Sequence, residues 1–219
     1  YPLVTGVQTC ALPIYSPFLV FENMKSTAFQ YLNFSESIQE YNKRFYVVTT
    51  SAPEELTSHQ LEMKEYYTLN WARSSRVQKT YAISSSGLEK IQNMKIPQYW
   101  FVITEGWCGD SSQSLPVMTA IAGHSNGNID VRIVSRDAHP ALLEQYLTNG
   151  SMSIPKLIAT SLDGEELWQW GPRPKPASDL FNSLKEQHKE KEDIYKALHA
   201  WYAGNKGQAI EEELLLHII

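Results

Sequence analysis

The stretch that decides the fold runs Tyr99-Trp100-Phe101-Val102-Ile103-Thr104-Glu105-Gly106-Trp107-Cys108-Gly109-Asp110-Ser111. It begins as an uninterrupted apolar run, the pattern of a strand buried on both faces. Thr104-Glu105-Gly106 ends that run, and Leu115, Val117, Met118, Ile121 and Ala122 then follow a helical pattern. A buried strand therefore feeds a turn, and the turn sets Cys108 at a helix start. Unpaired backbone N–H groups and the helix dipole favour negative charge at such a place. The expectation is an accessible cysteine held as a stabilised thiolate.

Working downstream, the helix spans about Gly109 to Ala122, with a kink at Pro116, whose ring removes a backbone hydrogen bond. Gly123-His-Ser-Asn-Gly127 matches the G-x-S-x-G pattern, but that elbow needs a strand before it and a helix after it. Here the order is reversed, and Gly123 reads as a helix C-cap. Ile129, Val131 and Ile133 alternate on a second strand, Ile129 to Ser135. Ala138 to Leu147 reads as a helix. Ile154-Pro155 opens a third strand, Lys156 to Thr160. Asp163-Gly164 is a hairpin turn into a fourth, Glu165 to Trp170. Trp168 and Trp170 read as packing residues. Gly171 to Pro176 is stiff and non-helical, and Ala177 to His188 is a helix. Glu192 to Leu216 is further helix with a break at Gly204 to Gly207, and Trp201 and Tyr202 read as core.

Upstream, Phe34, Ile38, Tyr41 and Phe45 mark an amphipathic helix over Phe34 to Tyr46. Ser51-Ala-Pro-Glu54 is a helix-start signature, and a long helix is expected from about Glu54 to Lys79. Arg73, Arg76 and Lys79 form a basic stripe on it. The stripe is either a solvated face or a surface for an anionic substrate. Leu88 to Met94 supplies one or two further turns. The first residues, Tyr1 to Ile14, read as the translation of a sequencing-library adapter and not as native protein. Tyr15 to Asn23 is then an untranslated leader read in frame, with Met24 the expected native start.

The chain has 219 residues, 42% of them hydrophobic, enough for one domain with extensions. Its net charge of −5 gives no basic field, so nucleic acid is not an expected partner. No run of about 20 apolar residues marks a membrane span. The two cysteines, Cys10 and Cys108, make no disulfide framework, and the six histidines show no metal-ligand spacing. The expected compartment is the cytoplasm, where a lone cysteine stays reduced.

From Tyr99 onward the order is β-α-β-α-β-β-α. Together with Trp107-Cys108-Gly109 after the first strand, Pro116 eight residues beyond Cys108, and Ile154-Pro155, it resembles the thioredoxin superfamily. The likeness is to a bacterial branch with an N-terminal helical extension. The resemblance covers about Ile96 to His188. It implies an α/β thioredoxin-like fold: a central mixed sheet with helices on both faces, an N-terminal helical extension (15–95), the thioredoxin-like domain (96–188), and an extra C-terminal helix (189–219). It also implies a cis Pro155 facing the Cys108 thiol, with Trp107, Ile154 and Pro155 binding substrate.

The departures decide the expected chemistry. Asp110 replaces the motif proline and Ser111 the second motif cysteine. Val102 stands where the family carries a buried acid. A two-cysteine cycle is therefore excluded. What remains is a monothiol thiol–disulfide oxidoreductase. Cys108 forms mixed disulfides with protein or small-molecule disulfides, and glutathione or another small thiol resolves them. Ser111 lowers the thiol pKa by hydrogen bonding, and Asp110 opposes it if it points at the sulfur. No metal or bound cofactor is expected. The rivals are a non-catalytic binding or chaperone-like module and a peroxide-responsive thiol sensor.

Overall fold

The computed structural model describes residues 25–218. The adapter-like segment, the Met24 start and Cys10 lie outside the described residues. A 3-10 segment, Ala28–Phe34, leads into strand β1 (Glu36–Ser37) and helix α1 (Ile38–Thr50). A 3-10 turn, Pro53–Glu55, precedes α2 (Ser58–Thr80) and α3 (Ser85–Gln92). Then come β2 (Gln98–Thr104), α4 (Ser111–Gly123), β3 (Ile129–Ser135), α5 (Pro140–Glu144), β4 (Lys156–Ser161) and β5 (Glu166–Trp170). Helices α6 (Lys175–Glu186), α7 (Lys191–Asn205) and α8 (Gln208–Leu216) close the chain.

The five strands form one mixed sheet in the order β1-β3-β2-β4-β5. β2 runs parallel to β3 and antiparallel to β4, and β5 returns antiparallel along β4. The apolar run at β2 is explained by its central place. Trp100 and Val102 enter one core, Phe101 and Ile103 the other. The first core gathers α1, α2, α4, α7 and α8 against one face. The second is covered by the 3-10 segment and α5, and Cys108 belongs to it. The fold is the thioredoxin-like α/β architecture, and the α7–α8 break falls at Lys206 and Gly207, both left-handed.

Several boundaries differ from the sequence reading, each for a local reason. α1 starts at Ile38 because Ser37 and Glu40 form a reciprocal capping box, which leaves Phe34 outside and exposed. The long second helix starts at Ser58, because Thr57 and Gln60 form the capping box; Glu55 instead folds back to the Ala52 N–H. α5 is a single turn, and Leu147 is exposed beyond it. Gly123 ends α4 as its last residue, and His124 occupies the C-cap.

The outer helices are tied to one another by part-buried polar contacts. Glu211 of α8 accepts from the Ser84 N–H at 3.0 Å, the Ser84 hydroxyl at 2.5 Å and the Tyr81 hydroxyl at 2.7 Å. A carboxylate is thereby placed at the N-terminus of α3, where the helix dipole favours it.

Candidate functional site

Cys108 lies in the turn between β2 and α4, as the sequence requires. Its Sγ donates to the Ile154 carbonyl at 3.3 Å, and the Ile154–Pro155 peptide is cis. The structure thus brings together Trp107, Cys108, Ile154 and Pro155. It does not expose Cys108 as expected: that residue is only 7% accessible.

The expected stabilised thiolate is not what the surroundings favour. Burial pushes the Cys108 thiol from its ordinary 9.0 up to about 11, and the Asp110 carboxylate pushes it the same way. Ser111 and the Ser111 and Asp110 backbone N–H groups pull it down, but by less. Ser111 Oγ accepts the Thr104 hydroxyl at 2.5 Å, which leaves its own proton free for the sulfur. The helix start favours charge, but desolvation in an apolar core outweighs it.

Asp110 is the hinge of one flank. It is buried at the start of α4, yet its side chain caps nothing in the helix. It pairs instead with Arg173 at 2.7 Å and accepts the Tyr202 hydroxyl at 2.9 Å. Burial raises its pKa, and Arg173 holds it down. The Arg173 guanidinium also lies over the Phe181 ring at 4.2 Å. The stiff Gly171–Pro176 segment therefore supplies the counter-ion of the motif acid, a role its composition does not signal.

The opposite flank is built around Trp107. Its indole N–H donates to Asp137 at 3.0 Å, and the Arg136 guanidinium sits 4.4 Å from its ring. His59 of α2 reaches the same carboxylate at 3.3 Å. Burial raises the Asp137 carboxyl, but its hydrogen bonds to Trp107 and Arg136 outweigh this and hold it below the ordinary value. Behind it stands Glu105, 3% exposed, accepting Ser135 at 2.5 Å and the Asp137 N–H at 3.1 Å. Burial raises the Glu105 pKa. This buried acid, three residues before the cysteine, was legible only as part of the turn. Val102, at the family's usual acid position, is core.

α2 lies directly on the motif loop. Asn70 donates to the Gly106 carbonyl at 3.2 Å, and the Ser74 hydroxyl to the Ser112 carbonyl at 3.2 Å. Gly106 and Gly109 permit this closeness. A Cβ on Gly106 would stand 2.5 Å from the Tyr67 ring, and one on Gly109 2.9 Å from the His199 ring. His199 was not singled out as a site residue, and Arg73 only as part of the basic stripe; both crowd Gly109.

Among the described residues, no group of three or more His, Cys, Asp or Glu side chains could hold a metal ion. Among the same residues no helix is long and apolar enough to cross a membrane.

A sheet of this order with a single cysteine between β2 and α4, facing a cis proline, defines a thioredoxin-like protein. The comparisons agree. The family model described as Thioredoxin matches residues 57–189, and the chain belongs to that family. The match begins at Thr57, so α2 lies within it. No curated protein matches the sequence. Among solved structures, a protein of unknown function from Pseudomonas aeruginosa is similar, with a TM-score of 0.58 and 16% identity. The similarity covers 84% of this chain and 92% of that one. An HIV epitope-scaffold is also similar, at a TM-score of 0.52 and 18% identity, over 83% and 96% of the two chains. At such identities the likeness is one of fold.

Proposed function

We propose that the protein is a monothiol thiol–disulfide oxidoreductase acting through Cys108. The observation that carries this reading is the juxtaposition of the Cys108 sulfur with the Ile154 carbonyl beside cis Pro155. An extended substrate docking along that loop competes for the carbonyl and releases the sulfur from its hydrogen bond. The Cys108 thiolate then attacks one sulfur of the substrate disulfide. A mixed disulfide forms, and the other substrate sulfur leaves as a thiolate. An external thiol, glutathione or a similar small thiol, attacks the mixed disulfide. It carries away the substrate sulfur as a new disulfide, and Cys108 departs as thiolate. Ser111 assists by its hydrogen bond to the sulfur. Trp107 walls one side.

The free protein is a slow nucleophile on this reading. With the thiol at about 11, the thiolate fraction at pH 7 is on the order of one in ten thousand. That same burial favours a second reading, a non-catalytic module that binds extended peptides at the Ile154–Pro155 loop. One experiment separates the two. Alkylation of Cys108 is followed against pH, with and without a saturating disulfide-free peptide, and turnover of a glutathionylated peptide is measured with glutathione. The oxidoreductase reading expects faster alkylation with peptide bound, and turnover lost in Cys108→Ser. Peptide binding with neither effect would establish the binding module instead.

A further inference from the structure

The mechanism leaves a cluster of cations beside the motif unused. Arg73 and Arg76 project from α2 toward α4 and α7. The Arg73 Nη1 donates to Asn70 Oδ1 at 2.8 Å and lies 3.6 Å from where a Cβ on Gly109 would be. Arg76 donates to Gln113 Oε1 at a long 3.4 Å. Neither arginine is ion-paired among the described residues, in a chain whose net charge is −5. The nearest acid, Asp110, already has Arg173 and Tyr202.

Two further observations point the same way. Gln113 is 2% exposed, yet its Nε2 has no hydrogen-bond partner, and the His199 Nδ1 is also buried without one. The Gln113 amide N–H, a buried donor left over in this manner, calls for an acceptor. Beside Arg76, and not reached by Arg73, Gln113 or His199, a cavity of about 230 Å³ opens between α2 and α7, lined also by Thr80, Tyr202 and Lys206. It is large enough for an acidic group and too small for a large cofactor. No carboxylate lines it. His199, held down to about 4 by burial and by Arg73, Arg76 and Arg173, is neutral at pH 7. It leaves the positive field to the arginines.

Resting on the monothiol reading, we propose that Arg73 and Arg76, with the Gln113 amide, bind an oxyanion carried by the small thiol or disulfide that reacts with Cys108. A guanidinium fork matches a carboxylate or a phosphate oxygen pair. Arg73 sits over Gly109, one residue from Cys108, with Arg76 and Gln113 next to it along α2 and α4. An acidic thiol held there would be brought to the mixed disulfide with its charge neutralised, and an uncharged thiol would gain nothing.

The test uses the full chain carrying Cys108→Ser, so that binding does not depend on exchange. Titration calorimetry is run with S-methylglutathione and, separately, with inorganic phosphate. Saturable binding of either supports the site, and the pair distinguishes a carboxylate ligand from a phosphate. Arg76→Gln, an exposed change that spares the fold, is expected to weaken binding about tenfold or more. Arg73→Gln should do the same, and Lys79→Gln, the same charge change further along α2, should not. The proposal is overturned if neither probe binds, or if Lys79→Gln weakens binding as much as Arg76→Gln. A protein that binds these probes but does not turn over would remove the monothiol reading and leave the anion site standing.

Discussion

The two flanks of Cys108 are stabilised by different means. On one, Trp107 meets Asp137 and Arg136 at the rim, His59 reaches the same Asp137 carboxylate, and each of the three polar partners is between about a third and half exposed. On the other, Asp110 and Arg173 pair at 2.7 Å with side chains 6% and 15% exposed. Water screens the first set and hardly reaches the second. The rim flank can be lost group by group at small cost. In the buried flank, the desolvation of each ion is offset mainly by its partner.

The largest expected effect follows from breaking that dependence. Arg173→Met leaves Asp110 buried without its cation, which should cost about 3–5 kcal/mol of stability by urea unfolding. Adding Asp110→Asn should restore most of that loss. If the double variant is as unstable as Arg173→Met alone, Arg173 acts through packing on Phe181 and not through charge.

Next in size is the thiol itself. Its native pKa lies above the unfolded value, so the native state retains the proton longer. The resulting stability is fully present below pH 9 and is lost as pH rises through 11. The loss is on the order of 2–3 kcal/mol for a shift from 9.0 to about 11. The difference in unfolding free energy between the native sequence and Cys108→Ala should therefore change over that window and stay flat from pH 6 to 8. Asp110→Asn should lower the Cys108 pKa in alkylation profiles. It should leave it above that of a free cysteine, because burial is the larger cause.

The contrast also marks what a sequence can reveal. β2, its turn, Cys108 and the Ile154–Pro155 pair were legible because each is a local pattern of apolar run, glycine and proline. The succession of strands and helices from β2 onward followed from those patterns together, but β1, which pairs antiparallel with β3, was read as part of a helix and missed. The capping boxes at Ser37 and Thr57 shifted two helix starts, because side-chain geometry and not periodicity chooses among nearby Ser and Thr residues. The burial of Cys108 was missed because it comes from α2, α5 and the 3-10 segment closing around the turn. Arg173 and Tyr202 were missed because they meet Asp110 only after the chain has travelled 63 and 92 residues. Nothing in their own neighbourhoods distinguishes a counter-ion from a loop cation, or a hydroxyl partner from a core tyrosine.

A smaller effect is expected at the rim. Asp137→Ala removes the acceptor of the Trp107 indole and should cost about 1 kcal/mol. The Asp137 pKa is lowered in the native state, so its contribution is present above the unfolded value of 3.8 and is lost as pH falls below it, through the lower native value. Trp107 fluorescence reports the change directly, since the indole loses its partner.

The smallest effect sharpens the comparison most. His59 and Asp137 stand 3.3 Å apart, a distance not much longer than the 2.7 Å between Arg173 and Asp110. Were distance the deciding quantity, the two pairs would matter comparably. The His59 side chain is 54% exposed, however, and its partner carboxylate already has Trp107 and Arg136. Solvent replaces the lost contact, and two other donors keep Asp137 in place. His59→Gln should therefore shift stability by no more than a few tenths of a kcal/mol at low salt, and by nothing measurable at 1 M salt. A cost near that of Arg173→Met would mean that α2 shields this flank as well, and that both sides of Cys108 are interior.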